Sequence, residues 1–528
     1  MSNSRFGFRT TNGVISSLTN GLGVFDADAQ AFINTAGITD ATQKDAISKL
    51  VQDFKSIGVW NKMKIIYPFI GGTANSHKYN LKDPRDLDVA YRLVFSGTWN
   101  HTNMGAEGVT SAFGDTKFNP VSNLLVSSSH LSAYVNTGST QRYPELISNK
   151  NNNSWGMILT YASNFTWFQG SLATANLYQY APIAPGSHTD GSLYMINRQT
   201  LNNQKFLKNS TLLLDDTTLG VSYANTNIIL GNAFARYVFA TVGEGLTDTE
   251  AYNYYLAVQT FQLTLGRAVG GRLVSDPDAQ AFVFSAMLNN QTQADAVNTL
   301  VTSLKSAGLW NKFKAIYPFV GGNATAHKFN LKDPRDVDAA YRLVFSGGWT
   351  HSATGALPNG TNAFADTKLP PDTTLSQFST SMSYYSRTNS NAVYVEMGSK
   401  GSNSQKLNFA IKLSGTGYYD QNDETNGRLT VNMSSTTSTG YYVMSRTANN
   451  VQKAFRNGIQ LGSTNTNTIT SALPSFISYI GATNDVGGIT YTNRECAFAT
   501  IGDGLSDSEI TTLYNIIQTF QSTLGRQV

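Results

Sequence analysis

Lys82, Asp83, Arg85, Asp86 and Asp88 make the densest cluster of charge in this chain, and the same residue types return at Lys332, Asp333, Arg335, Asp336 and Asp338. Carboxylates at this spacing could ligate Ca²⁺, a hard cation that takes oxygen donors. The reading preferred here is structural. Asp-Pro fixes a turn, and an Arg flanked by Asp makes charge-assisted bonds that pin that turn in front of a strand at Tyr91 to Phe95. His77 with His101, and His327 with His351, suggest metal pairs, but no third ligand follows at a suitable spacing, so a satisfied histidine beside a turn is expected. No metal and no cofactor is therefore assigned.

Hydrolysis by an acid and base pair needs two carboxyl groups about 5 to 9 Å apart. The chain has eight glutamates, of which the first copy of the repeat described below holds only Glu107, Glu145, Glu244 and Glu250. Glu250 and Glu509 stand three residues after Thr247 and Ser506, where they complete capping boxes. No Gly-x-Ser-x-Gly elbow, P-loop or His-Glu-x-x-His helix occurs. The expectation is a protein without catalytic residues. Ligand contacts are sought among aromatic side chains in polar surroundings, which can stack on sugar rings or anchor a protein interface. These are Tyr161, Trp167, Tyr178 and Tyr180, and later Tyr384, Tyr385, Tyr418 and Tyr419. Trp60, Trp99, Trp310 and Trp349 recur at one spacing and read as core.

The elements that must position these groups come in two sets. The block from His77 to Trp99, HKYNLKDPRDLDVAYRLVFSGTW, returns from His327 to Trp349 with four differences and an offset of 250; Thr241 to Arg267 returns from Thr500 to Arg526 at an offset of 259. A period this long means two domains with separate cores. Between the repeated blocks the residues differ while their order is kept, as strand faces and loops allow. Charged residues are only 14% of the 528, replaced by Asn, Ser, Thr and Gly, and the net charge is +4. With no run of Lys and Arg and no apolar stretch of spanning length, neither nucleic-acid binding nor membrane insertion is expected. The single Cys496 excludes an intrachain disulfide.

Helical spacing predicts helices over Asp26 to Gly37 and Thr42 to Ile57, the second capped by Thr42 with Asp45 (Thr292 with Asp295) and ended by Gly58 or Gly308. Its apolar face should lie on a sheet begun by Met63 to Phe69 and Tyr91 to Phe95. Short strands follow near Leu131, Trp155, Ser192, Thr211, Ile228 and Tyr237, and each copy closes on a helix.

The closing frame, a strand followed by Gly-x-Gly-Leu-[Ser/Thr]-Asp-x-Glu and a helix, together with the Asn457-Gly458 hairpin signal, resembles concanavalin A-like, laminin-G-like jelly-roll domains. Leu207-Lys208-Asn209-Ser210 departs from that hairpin pattern. The longer frame, Asp-x-Asp-Ala-Gln-Ala-Phe at Asp26 and Asp276 through Tyr-Pro-Phe-x-Gly-Gly to the Asn-Leu-Lys-Asp-Pro-Arg-Asp block, resembles repeated modules of tailed-bacteriophage virion proteins of the head-fibre, tail-fibre or baseplate kind. The resemblance implies a mainly β fold with helices, a tandem pair of β-sandwich modules at 26–267 and 276–528 joined by 268–275. It also implies a virion structural or attachment role, synthesis in the host cytoplasm, contacts with other virion proteins and with its own copies, and a host-surface glycan as ligand. A lectin-like glycan-binding adhesin is the alternative, and a glycoside hydrolase the third reading. Residues 1–25 lie outside the repeat and are expected to form a docking arm anchored by Phe6 and Phe8.

Overall fold

The computed structural model describes residues 25–109, 111–136, 145–147, 155–161, 165–170, 178–180, 191–231, 236–268, 271–391, 395–401 and 405–528, with 145–147, 158–161, 165–170 and 178–180 at the level of the backbone. The expected arm, with Phe6 and Phe8, lies outside the described residues. The chain divides into two compact units, Met1–Gly270 and Gly271–Val528. Residues 271–275, expected to belong to the joint, are part of the second unit. Val274 packs on its helical core, Gln280 holds the Val274 N–H at 2.7 Å and the Arg272 carbonyl at 2.8 Å, and Asn289 accepts from Gly271 N–H.

Each unit is an antiparallel β-sandwich, and the two share one strand order. In the second unit the first sheet runs, edge to edge, through Trp349–Ser352, Gly355–Pro358, Cys496–Gly502, Thr380–Ser386, Gly440–Ala448, Val451–Arg456 and Ile459–Asn465, with Phe313–Tyr317 also paired to Cys496–Gly502. The second sheet runs through Val344–Ser346, Phe364–Asp366, Tyr479–Ile480, Met397–Lys400, Gln405–Leu413, Thr416–Asp423 and Arg428–Asn432. The first unit repeats both of these seven-strand orders, while the second unit's second sheet also holds Ala482–Asp485, parallel to Met397–Lys400, and Thr490–Tyr491. The duplication therefore extends through the divergent middles, where the residues alone do not show it.

Helices lie on the outside of the first sheet. They are α1 (Ala27–Ala36), α2 (Ala41–Ser56) and α3 (Asp248–Thr264), then α4 (Pro277–Ser285), α5 (Gln291–Ser306) and α6 (Asp507–Thr523). In the second unit Phe282, Val297, Leu300 and Leu304 meet Leu513, Ile517 and Phe520 over Tyr441, Val443, Phe455 and Phe498 of the sheet. A separate core between the sheets holds Met382, Tyr384, Leu407, Phe409, Ile411, Tyr419 and Ile501. α2 and α5 begin one residue earlier than expected, so Asp40 and Asn290, rather than Thr42 and Thr292, are the N-caps, accepting from Gln43 and Gln293 N–H. Their C-terminal ends follow the glycine expectation. Gly58 has φ +80°, and Val59 N–H reaches back to the Phe54 carbonyl. Both closing helices carry the predicted capping boxes.

The strands at Met63–Tyr67 and Val94–Ser96 do not share a sheet. The first pairs with Arg236–Gly243 in the helix-covered sheet, the second with Phe113–Asp115 in the other. The repeated block is the crossover between them. Buried Asn80 ties it down, its Oδ1 accepting from Ile66 and Lys82 N–H and its Nδ2 donating to the Lys64 and Ala90 carbonyls. Asn330 repeats all four bonds. A second clasp closes each module. Arg526, 1% exposed, donates to the carbonyls of Pro318, Phe319 and Ala497 while Gln521 accepts from its Nε. Arg267 does the same at Pro68, Phe69, Val238 and Gln262. These bonds hold Phe69 and Phe319 at φ +47° and +44°, a conformation that a bulky residue keeps only when its surroundings impose it.

Candidate binding face

Only one face of four carries no helix and no facing sheet, counting both sheets of a module and the described residues: the outer face of the second sheet. Its residues follow from strand alternation. In Gln405–Leu413 the side chains of Leu407, Phe409 and Ile411 fill the core, leaving Lys406, Asn408 and Ala410 outside; in Thr416–Asp423 Tyr419 is core and Tyr418 and Asp420 face out. The register lines up one transverse row across seven strands. It runs Val344, Asp366, Tyr479, Gly398, then Asn408, Asp420 and Arg428. From Asp366 to Arg428 the row crosses five strand spacings, roughly 24 Å.

Gly398 sits at φ +140°, and a Cβ there would lie 2.2 Å from the Leu407 carbonyl and 2.8 Å from Asn408 Oδ1. The position must stay glycine, so no side chain stands in the row between Tyr479 and Asn408. Tyr479 stacks on Phe364 with ring centroids 4.5 Å apart and 18° between planes. On the far side the Arg428 guanidinium lies 5.1 Å from the centre of the Tyr418 ring and holds Asp420 by two bonds of 2.7 and 3.0 Å. Lys406 reaches Asp420 and Glu424 at 3.2 Å, and Lys400 lies 3.8 Å from both Glu424 and Asp485. Burial alone would raise the Glu424 carboxyl; its bond to Lys406 and the surrounding cations take it below the usual glutamate range. Three cations thus neutralise three carboxylates. Asn408 is only 5% exposed, and its Oδ1 is shielded from solvent and has no hydrogen-bonding partner among the described residues.

The corresponding row of the first module starts alike and then departs. Val94 and Asp115 match Val344 and Asp366, but Ile229, Ile147, Gly156 and Gln169 follow. Asp115 and Asp366 each bond the lysine two residues on, Lys117 or Lys368.

Of the aromatic residues singled out from sequence whose side chains are described, Tyr418 stands on this face. Tyr384, Tyr385 and Tyr419 are fully buried, which corrects their assignment as ligand contacts. Neighbours in a strand point to opposite faces, and the first sheet is covered on both: Tyr384 donates to the Arg494 carbonyl in the inter-sheet core, while Tyr385 lies under the helices and donates to Gln518 Oε1. Tyr419 packs edge-on to Phe409 at 5.3 Å. Tyr161, Trp167, Tyr178 and Tyr180 fall in strands of the first module's second sheet, Trp167 opposite Gln179 and Tyr178 opposite Phe168, and their side chains lie outside the described residues. Tyr479, Asn408 and Arg428 were missed. The signal that could have found them is the alternation of Leu407, Phe409 and Ile411 with polar residues.

The charge block is pinned as the preferred reading had it. Arg85 grips Asp83 in two bonds, and Arg92 spans Asp86 and Asp88. Among the described residues no three His, Cys, Asp or Glu side chains gather as metal ligands would. Each histidine pair makes an Nδ1 to Nδ1 contact of 2.9 Å. In the second module Gly322 N–H donates to His327 Nε2, so His327 carries its proton on Nδ1 and gives it to His351. Burial, with the neighbouring histidine and the Arg clasp, lowers His77 and His327 to about 3. Trp60 and Trp310 are buried beneath Lys82 and Lys332, whose ammonium groups stand 3.9 and 3.8 Å from the ring centres.

No protein-family model matches the chain, and no curated protein matches it. Among solved structures, the binding domain of botulinum neurotoxin serotype D is similar over 37% of this chain and 51% of its own, at 11% identity and a TM-score of 0.27. The chain thus spans about half the length of the toxin domains it matches. Domain 4 of AbnA, a GH43 arabinanase from Geobacillus stearothermophilus, matches over 37% of this chain and 98% of its own, at 13% identity and a TM-score of 0.26. A mutant Trypanosoma rangeli sialidase matches over 78% and 60%, at 11% identity and a TM-score of 0.32. At such scores no function is carried across; what the fold itself establishes is a mainly β chain made of a duplicated β-sandwich module.

Proposed function

We propose that this chain is a non-catalytic attachment protein of a virus particle, in which a constant scaffold presents two differently decorated open sheets. One observation carries the recognition half. The two modules keep the same strand order, crossover and arginine clasp, yet their open rows diverge after the second position, from Tyr479, Gly398, Asn408, Asp420 and Arg428 to Ile229, Ile147, Gly156 and Gln169. Two outer faces that differ on one constant scaffold are what two different recognition surfaces would require. The virion half rests on the resemblance of the repeated frame to phage structural modules, and it makes other virion proteins, and copies of this chain, its partners.

The absence of catalysis is supported by the state of the acids. Each glutamate with a described side chain is held by a cation: Glu107 by Arg236, Glu244 by Lys64, Glu250 by Lys62, Glu396 by Arg494, Glu424 by Lys406, Glu495 by Arg387 and Glu509 by Lys312. The test is adsorption. Particles lacking the protein, or host cells preincubated with the purified chain, should show reduced attachment; unchanged attachment in both, with the protein absent from purified particles, refutes the reading.

A further inference from the structure

We infer that the row from Asp366 to Arg428 on the second module is a binding site for a neutral, extended, polyhydroxylated chain, an oligosaccharide lying across the strands. The inference rests on the attachment reading and deepens it. Asn408 carries it furthest. A side-chain oxygen this buried ordinarily finds a hydrogen-bonding partner, and Asn408 Oδ1 has none among the described residues. Its amide is both donor and acceptor, so its complement is a group that is both as well, a hydroxyl. Because Oδ1 is already desolvated in the free protein, a hydroxyl that donates to it adds a bond with little further loss of hydration.

The surroundings fix the rest of the ligand's character. Gly398 places no side chain beside Asn408 in the row. Tyr479, braced on Phe364, and Tyr418, braced by Arg428, are held rings that offer flat apolar faces to the C–H side of a sugar at small conformational cost. The cations along the row are taken up by Asp420, Glu424 and Asp485, so no unmatched positive charge awaits a sulfate, carboxylate or phosphate. A peptide strand is excluded as the ligand by position: the row lies in mid-sheet, where backbone groups are spent on the ladder, and strand addition needs an edge.

The test is an array of neutral hexose and N-acetylhexosamine oligosaccharides, from disaccharide to octasaccharide, with sialylated and sulfated chains as the charged arm, probed with the full-length protein. Binding of neutral chains is expected, strengthening with length until the row is filled. Asn408→Ala and Tyr479→Ala should each weaken it at least tenfold, Tyr479→Phe should retain most of it, and Ile229→Ala on the first module should leave it unchanged; melting curves check that each variant is folded. Preference for the charged chains, no binding of neutral ones, or wild-type binding by folded Asn408→Ala and Tyr479→Ala overturns the inference. If the protein still coats host cells in those cases, attachment stands and only the ligand assignment falls. If it coats no cells and is missing from particles, it is the attachment reading that has failed.

Discussion

Acid should weaken the first module more than the second, because of one histidine. His130 is wholly buried in the strand Ser129–Val135; its Nδ1–H donates to the Glu244 carbonyl at 2.7 Å and its Nε2 accepts from the Thr241 hydroxyl. Burial lowers it to about 4. At the matching place in the second module stands Ser381, whose hydroxyl donates to the Asp503 carbonyl. A histidine neutral in the fold and ordinary, near 6.5, when unfolded contributes its stability in full above about pH 6.5 and loses it progressively as the pH falls toward the folded value. Between pH 7 and pH 5 each such group gives up about 2 kcal/mol. The first module has His77 and His130, about 4 kcal/mol together, against about 2 for His327 alone. Burial lowers His101 and His351 too, one in each module. Burial raises the Asp53 carboxyl, which acts in the opposite direction, so a substitution is needed to isolate the histidine. Hydrogen exchange of the full chain at pH 7 and pH 5, corrected for intrinsic rates, should show core-strand protection falling about 30-fold further in Ser129–Val135 than in Thr380–Ser386. His130→Ser should remove most of that difference. An equal loss in both modules, or a difference untouched by His130→Ser, refutes the reasoning.

Arg526→Met takes the guanidinium from the buried carbonyls of Pro318 and Phe319 and leaves Ala497 only its bond from Gln521, and the second module should lose about 3 kcal/mol or more in urea melts, with Arg267→Met matching it in the first. Glu396→Gln strips the negative charge from a pair in which Glu396 and Arg494 are both fully buried; a loss of about 3 to 5 kcal/mol is expected, far above what Glu424→Gln on the open face should cause in the same melts. Gly398→Ala drives a Cβ to 2.2 Å from the Leu407 carbonyl and should lower the melting temperature, whereas Gly487→Ala, where the nearest neighbour is the Asp485 carboxylate at 3.4 Å, should barely move it.

Much of the fold was legible in the sequence because local signals agreed with the global arrangement. The capping boxes at Thr247 and Ser506, the glycine stops at Gly58 and Gly308, and the strand Trp155–Tyr161 are all local. The Asn457-Gly458 turn formed as expected, with φ of +51° and +77°. Asn209-Ser210, whose residues depart from the pattern, makes the corresponding hairpin with only Asn209 at positive φ; its backbone N–H and Oδ1 pair with Leu193 as those of Asn457 pair with Tyr441. What was not legible is non-local. Whether Met63–Tyr67 and Val94–Ser96 share a sheet depends on where the crossover lands, and which tyrosine of Tyr418 and Tyr419 faces water depends on which face of which sheet the helices cover. A list of aromatic residues in polar company cannot supply that, since Tyr384 and Tyr385 meet the same description and are core.

The separation of the helix-covered sheet from the open one has a consequence for how such a chain changes over generations. A substitution in the covered sheet is felt in a packed core on one side or the other, and a missing methylene there is penalised. One at Thr430 or Asn432, exposed on the open face, disturbs neither core. Mutational tolerance should therefore be graded across a thickness of two sheets, steep against the helices and shallow outward, and a deep mutational scan of either module should recover that gradient. Duplication turns the gradient into an opportunity: with two copies of one chassis in a single chain, one outer face can be retained while the other is searched, and a new specificity arises without the fold being put at risk.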